Sequence, residues 1–172
     1  MRHLILSLFF LPTLLYAKNF DVPVGEFERK SFQIQTIQYP IQISCKYSFN
    51  ELRFNEDWGP SLILTLRHQD ESKPFVQFST QVTSSDNRYV FSYRQGFGDN
   101  EKPWEVRYLA APFKNAELMT AVIVYENGVV DFSSSVGNEV FGNGRIITSL
   151  KSIELATLSI SSSTGEYACE SL

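Results

Sequence analysis

Apolar and polar residues alternate along most of this chain, in short runs separated by turn-forming residues. An alternation with a period of two residues is typical of a β-strand with one face in the core. The runs predict strands at Ser31–Ile37, Ile41–Tyr47, Ser61–Leu66, Phe75–Phe78, Tyr89–Tyr93, Leu118–Tyr125, Val129–Ser133 and Ile153–Ser159. No run has the length and spacing of a helix, and no repeat or linker divides the chain. Many short strands joined by turns predict an all-β sandwich or barrel.

Glycine and asparagine mark the expected turns between these strands. Asn127-Gly128, between two valine-containing runs, is the strongest hairpin signal. It favours a type I′ turn, which needs positive φ at both central residues. Gly137-Asn138 predicts a second hairpin, and Gly142-Asn143-Gly144 indicates a further turn. The serine tract at 161–163 is expected at a strand end or a turn.

The first 17 residues have the pattern of a secretory signal peptide. Arg2 precedes an apolar run from Leu4 to Tyr16, and Ala17 supplies a small residue at the expected cut. This run is shorter than the about 20 apolar residues that a membrane-spanning helix needs. We therefore expect residues 1–17 to be removed and residues 18–172 to form one secreted domain without a membrane span. An N-terminal anchor that is not cleaved is the alternative.

The chain has two cysteines, Cys45 and Cys169, which lie near opposite ends of the expected mature domain. Disulfides persist in the oxidising environment that secreted proteins meet, and two cysteines allow only one pairing. The sequence therefore predicts a Cys45–Cys169 disulfide, and two unpaired buried thiols are the alternative. In the loop-entropy picture, a bridge that closes so long a loop stabilises a fold by roughly 4 to 5 kcal/mol.

The number and distribution of charged residues argue against two classes of partner. Without the leader, the chain has 14 Lys and Arg residues against 19 Asp and Glu residues, and its basic residues do not cluster. Binding to nucleic acid and to anionic membrane surfaces depends on clustered basic residues. Neither is therefore an expected partner.

The sequence lacks the motifs of common catalytic and metal sites. His68 is the only histidine after the leader, which excludes a two-histidine metal site within one chain. No Gly-x-Ser-x-Gly elbow occurs, and no Asp/Asn cluster has the spacing of a calcium loop. Glu139 and Glu154 lie in strand-like runs without a second carboxylate nearby, as a glycoside hydrolase would need. We expect no enzymatic activity, no metal and no cofactor.

The second half of the chain shows a characteristic succession of elements. Pro112-Phe113 precedes the run Glu117–Tyr125, and the runs Val129–Phe132, Val136–Phe141 and Ile153–Ile160 follow. This order, from about Leu62 to the C-terminus, resembles that of the galectins, which are galactoside-binding jelly-roll lectins. The resemblance implies a galectin-like, concanavalin-like jelly-roll β-sandwich that binds a glycan or glycoprotein. It also implies that edge strands pair into a homodimer, which would raise avidity.

The resemblance further implies where a sugar would bind. Phe75–Gln81 occupies the slot of the sugar-binding strand, whose family motif is His-x-Asn-x-Arg. The three motif positions hold Gln77, Ser79 and Gln81, which share one face of a strand and can all form hydrogen bonds. A site that recognises a hydroxyl through polar partners loses affinity when those partners change. We therefore expect altered or weak galactoside specificity, and a solvated strand face is the alternative.

A tryptophan motif, Trp-Gly-x-Glu, completes the family's site. Trp104 stands at the tryptophan position, Glu105 replaces the glycine and Arg107 replaces the acid. Trp104 would stack on the sugar, with Arg94, Glu105 and Arg107 around the rim; a tryptophan that only caps the sandwich is the alternative. The family's separate asparagine would fall near Ser92 or Tyr93. For the whole protein, the alternative to a lectin is an extracellular interaction or structural domain that has lost sugar binding.

Overall fold

The computed structural model describes residues 17–34, 38–56, 59–70, 72–85, 87–97, 100–101, 105–112, 116–150 and 152–171; for Phe32, 100–101 and 105–112 it describes the backbone alone. The strands in these ranges are β1 (Lys18–Asp21), β2 (Phe27–Gln33), β3 (Ile41–Leu52), β4 (Ser61–Arg67), β5 (Pro74–Val82), β6 (Arg88–Phe97), β7 (Asn100–Glu101), β8 (Glu105–Pro112), β9 (Leu118–Val124), β10 (Val129–Val136), β11 (Glu139–Ile147), β12 (Leu155–Ser161) and β13 (Ser163–Ser171). Within the same ranges no helix is long and apolar enough to cross a lipid bilayer.

The strands form two antiparallel sheets. Sheet A has the order β1-β13-β3-β9-β10-β11, and sheet B has the order β2-β12-β4-β5-β6-β7, with β8 also paired to β6. The two sheets pack face to face as a β-sandwich, which confirms the predicted fold class. Each predicted strand has its counterpart, although β2 begins earlier than expected and residues 35–37 lie outside the described ranges.

The core lies between the sheets and follows the predicted alternation. Along β3 every second side chain from Ile41 to Phe49 is buried, and the intervening side chains are more exposed. Aromatic rings fill the centre. Phe132 of sheet A lies 5.2 Å from Phe78 and 5.5 Å from Phe91 of sheet B, measured between ring centroids. Such contacts add to the stabilisation that burial of the rings provides.

The predicted turn at Gly142-Asn143-Gly144 is wrong, because all three residues lie within β11. A Cβ atom on Gly142 would come within 2.9 Å of the Phe91 ring, and one on Gly144 within 2.7 Å of the Phe132 ring. These glycines therefore give aromatic rings room against the strand, rather than bending the chain.

The two predicted hairpins both exist, but the first has a different turn. Of Asn127 and Gly128, only the glycine has positive φ, at 78°, so the predicted type I′ turn is wrong. The Gly128 amide donates to the Tyr125 carbonyl at 3.0 Å, and the loop is longer than two residues. At the second hairpin Val136 pairs with Glu139, and Gly137 has a φ of 56°, which suits the first position of a two-residue loop.

The predicted disulfide is confirmed. Cys45 on β3 and Cys169 on β13 are direct cross-strand partners, with their Cα atoms 4.1 Å apart. On its other side β13 pairs with β1, so the N-terminal strand lies beside the C-terminal strand. The bridge therefore ties β13 to β3 in the middle of sheet A. Because β1 is paired with β13, the bridge also secures the N-terminal strand.

Candidate functional site: a polar ladder on sheet B

The outer face of sheet B carries the residues that the sequence singled out on β5. Gln77, Ser79 and Gln81 alternate with Val76, Phe78 and the other core-facing side chains of this strand. Because adjacent side chains of a strand point to opposite faces, all three lie on the outer face. The structure thus brings these three predicted site residues together, in the middle of the sheet.

Five polar residues lie side by side across this face. Cross-strand pairing joins Ser31 to Thr157, Thr157 to Thr65, Thr65 to Gln77, and Gln77 to Arg94. We call this row the polar ladder; it crosses β2, β12, β4, β5 and β6. With neighbouring strands about 4.8 Å apart, it spans roughly 19 Å.

Hydrogen bonds connect members of the ladder in two groups, one of Thr65, Gln77 and Arg94 and one of Ser31 and Thr157. The Gln77 amide donates from Nε2 to the Thr65 hydroxyl at 3.0 Å, and Arg94 donates from Nε to Gln77 Oε1 at 2.5 Å. The Ser31 and Thr157 hydroxyls lie 3.1 Å apart. Gln77 therefore has a fixed orientation, because one end of its amide donates and the other end accepts.

The short side chains of this face lie deep between longer neighbours. Thr65 is 8% exposed, Thr157 is 9% exposed and Ser79 is 5% exposed, although all three are on the outer side of the sheet. Ser79 pairs with Ser92 on β6, whereas the adjacent Tyr93 is buried in the core. Of the two positions that the resemblance left open for the family's asparagine, only Ser92 is therefore on this face.

Two further predicted site residues, Glu105 and Arg107, lie on a strand that pairs with β6. Trp104 is outside the described residues. Glu105 and Arg107 belong to β8, and the pairing of Glu105 with Tyr93 places this strand beside β6. Arg94 belongs to the ladder itself.

Sequence reasoning did not identify Thr65, Thr157 and Ser31 as members of one row with Gln77. Each is a polar residue at an outward position of its strand, which the alternation alone could have indicated. Thr65 bonds to Gln77 directly, whereas Thr157 pairs with Thr65 and Ser31 pairs with Thr157. This alignment depends on the strand order of sheet B, in which β12 is inserted between β2 and β4. A pattern of alternation carries no information about that order.

His68 directly follows β4, and both of its ring nitrogens have a partner. It is the histidine that a Ser-His-Asp triad in this chain would need as its base. Nε2 lies 2.8 Å from Glu154 Oε1, and Nδ1 accepts a hydrogen bond from the Asp70 amide at 3.1 Å. A serine nucleophile would need one of these nitrogens as its base. The observed arrangement instead joins the end of β4 to the segment that precedes β12.

Comparison with known proteins gives a fold but no family. No protein-family model matches the chain, and no curated protein matches its sequence. A legume lectin-like domain from Entamoeba histolytica has a TM-score of 0.57, 11% identity, and coverage of 88% of this chain and 81% of its own. A toad ovary galectin in complex with thio-digalactose has a TM-score of 0.54 and 11% identity, over 83% of this chain and 98% of its own. A Caenorhabditis elegans galectin, LEC-6, has a TM-score of 0.54 and 13% identity, over 90% and 95% respectively. The fold is a galectin-like β-sandwich.

Proposed function

We propose that this protein is a secreted, non-catalytic carbohydrate-binding module with altered or weak galactoside specificity. Its glycan would lie on the outer face of sheet B, over Gln77, Ser79 and Gln81. Trp104 would stack on the sugar, and Arg94, Glu105 and Arg107 would contact its edge. The galectin-like fold and the position of β5 within sheet B support this choice of face.

The observation that carries the proposal is the polar ladder. A carbohydrate presents many hydroxyls, and recognition requires an array of donors and acceptors in fixed positions. The ladder offers hydroxyl, amide and guanidinium groups in one row, and hydrogen bonds within its two groups hold these side chains in place. A fixed array loses little side-chain entropy when a ligand binds, which favours affinity.

Export to an oxidising compartment is part of the proposal. The leader pattern at residues 1–17 motivates it, and the Cys45–Cys169 disulfide supports it, since such bridges persist in oxidising compartments. Expression of the full chain in a secretory host tests it. N-terminal sequencing of the secreted protein should begin at Lys18. Recovery of the intact leader on membranes would contradict cleavage.

A second candidate is an extracellular interaction or structural domain that has lost sugar binding. The observation that favours it is that the ladder satisfies part of its own hydrogen-bonding capacity. Both ends of the Gln77 amide already have partners, so a sugar hydroxyl would compete with Thr65 and Arg94 for them. A domain that kept the sandwich fold without binding sugar would lose nothing if its outward polar side chains bonded to one another.

A glycan-array screen of the secreted, oxidised protein separates the two candidates. Gln77→Ala removes the central group of the ladder, and Trp104→Ala removes the expected stacking ring. Gln42→Ala changes an exposed residue on the outer face of sheet A and serves as the matched control. Specific binding that both site variants abolish and the control retains would support the lectin. Binding unaffected by Gln77→Ala would overturn the choice of face. A silent array from folded protein would favour the second candidate.

We also propose that the protein pairs into a homodimer through its edge strands, as the galectin resemblance implies. Sedimentation of the secreted protein over a range of concentrations tests this separately. A dimer would present two ligand faces, and binding to a densely glycosylated surface would then exceed binding to a soluble sugar by avidity. A monomer at all concentrations would contradict this part of the proposal.

A further inference from the structure

A concave site separate from the polar ladder lies at one end of the sandwich, where β4 and β6 end and β5 begins. It is a cavity of about 490 Å³, and we call it the end pocket. Its polar lining comprises His68, Lys73, Ser149 and Ser152, and its aromatic lining is Phe97. The loop between β11 and β12 supplies the two serines, so three separate stretches of chain meet here.

The end pocket is distinct from the polar ladder. Pro74, another lining residue, pairs with Phe97, whereas Gln77 pairs with Arg94. The two pairs are three positions apart along each strand, which is roughly 10 Å. Phe97 also stands at a core-facing position of β6, in alternation with Arg94, so the pocket opens between the ends of the sheets and not on the outer face of sheet B.

Phe97 gives the pocket an unusual apolar surface. Its side chain is 56% exposed, although an aromatic ring gains most from burial. In a concave site, a partly exposed ring can stack against the apolar face of a ligand ring. Next to it, the Ser149 and Ser152 hydroxyls make no hydrogen bond to the described part of the chain. They are available to donate to a ligand and to accept from it.

The described lining of the pocket carries a positive charge, that of Lys73. Within the described ranges, the Lys73 ammonium forms no ion pair or hydrogen bond. Two described carboxylates, those of Asp70 and Glu154, lie nearby; hydrogen bonds from Ser72, and to a smaller extent the charge of Lys73, lower the pKa of Asp70. Asp70 accepts from the Ser72 amide and hydroxyl, and Glu154 accepts from His68 and from a backbone amide. Neither carboxylate lines the pocket.

We propose that the end pocket binds an acidic monosaccharide unit of the uronic acid class. Its pyranose ring would lie against Phe97, its hydroxyls would bond to Ser149 and Ser152, and its carboxylate would face the Lys73 ammonium. A charged hydrogen bond of this kind is stronger than a neutral one. The site and its ligand are independent of the proposed function of the ladder.

The test is an amide NMR titration of the intact, oxidised protein with glucuronate, and with glucose as the neutral match. Saturable shifts should appear at Lys73, Phe97 and Ser149 with glucuronate and should be weaker with glucose. Lys73→Gln should weaken glucuronate binding by roughly tenfold or more and leave glucose unchanged. Phe97→Ala should weaken both sugars. Lys46→Gln, which removes an exposed lysine from sheet A, should weaken neither.

Equal responses to glucuronate and glucose would overturn the proposal, as would shifts confined to other residues or no shifts at all. So would a loss in Lys46→Gln that matches the loss in Lys73→Gln, because it would indicate a general effect of charge. The Gln77→Ala variant separates this site from the ladder. Glucuronate shifts at the end pocket should persist in that variant, whatever the glycan array reports for the outer face.

Discussion

The Thr80 hydroxyl lies 3.3 Å from the Ser134 hydroxyl, and this contact joins sheet B to sheet A through the interior of the sandwich. The row of hydroxyls continues within sheet A, where Ser134 lies 3.5 Å from Thr120 and Thr120 lies 3.1 Å from the Tyr47 hydroxyl. All four side chains are buried. Burial raises the pKa of Tyr47, and its hydroxyl neighbours act against that rise. A buried polar row whose members are all paired holds two packed sheets in one relative position.

Ser134→Ala should lower the free energy of unfolding by about 1 to 3 kcal/mol, because it leaves the buried hydroxyls of Thr80 and Thr120 with one partner fewer. Urea denaturation followed by tryptophan or tyrosine fluorescence measures this. Ser133→Ala, on the opposite face of the same strand, is the matched control and should change stability by less than about 0.5 kcal/mol. Equal losses in the two variants would show that the interior contact contributes nothing.

Removal of the disulfide should destabilise the fold. The Cys45→Ala/Cys169→Ala double variant should lose about 2 to 5 kcal/mol of stability, since its unfolded chain regains the freedom of a long loop. Thermal unfolding with and without dithiothreitol measures the effect. The reductant should lower the midpoint of the natural protein and leave that of the double variant unchanged. A midpoint that does not respond in the natural protein would contradict the stabilising role of the bridge.

Gly165→Ala should be among the most damaging single changes. A Cβ atom on Gly165 would lie 1.9 Å from the Ser48 carbonyl oxygen and 2.7 Å from the Phe20 ring. Strand β13 would have to move away from β3, and we expect a loss of at least about 3 kcal/mol. Gly137→Ala is the control, because its φ of 56° is strained for alanine but its Cβ atom meets open space. It should cost about 1 to 2 kcal/mol. If the two variants lost similar stability, crowding at Gly165 would cost no more than the strained φ at Gly137, which would contradict the prediction.

The Asp131–Arg145 pair predicts a dependence of stability on acid pH. Arg145 donates two hydrogen bonds to the Asp131 carboxylate, at 2.5 and 2.7 Å, and Tyr125 donates a third at 3.1 Å. The Arg145 bonds are the main cause that lowers the pKa of Asp131 in the folded protein. The stabilisation is therefore complete above the unfolded-state pKa of about 3.9 and is lost as the pH falls through the folded-state value.

Asp131→Asn should accordingly be less stable than the natural protein at pH 7, with a difference that shrinks as the pH falls below about 4. Urea unfolding at a series of pH values between 7 and 2 measures both proteins. A difference that stays constant over the whole series would show that the charge of Asp131 contributes nothing and that only its hydrogen-bonding geometry matters.

The sequence predicts the fold class well because most strands carry one buried face. On β3 the alternation from Ile41 to Phe49 is uninterrupted, and such a pattern fits a half-buried strand better than any other element. The Gly137-Asn138 hairpin predicts the start of β11, but the prediction of a turn farther along this strand is wrong for a physical reason. Gly142 and Gly144 have the composition of a turn, and only the positions of Phe91 and Phe132 show why a strand needs them. Those rings belong to other strands, so the residues around β11 in the sequence do not show that they are there.

The candidate site could be predicted only as far as one strand. Period two places Gln77, Ser79 and Gln81 on a common face, and the structure agrees. The partners of Gln77 come from β4 and β6, and their register depends on how complete sheets assemble. The end pocket was not foreseen at all. Lys73 and Ser149 are far apart in the sequence, and neither lies in a motif with recognisable spacing.

The strand order also determines how much of the chain must be synthesised before the two sheets can form. β1 and β3 both pair with β13, and β2 pairs with β12, so the first strands made need the last ones as partners. The hairpins β4–β5 and β9–β10 join neighbours in the chain and can form early, whereas the pairings between the two ends must wait. We expect the ribosome to have completed nearly the whole polypeptide before either sheet closes. Until then, the residues that follow the predicted leader have no strand to bind and stay accessible to a processing protease.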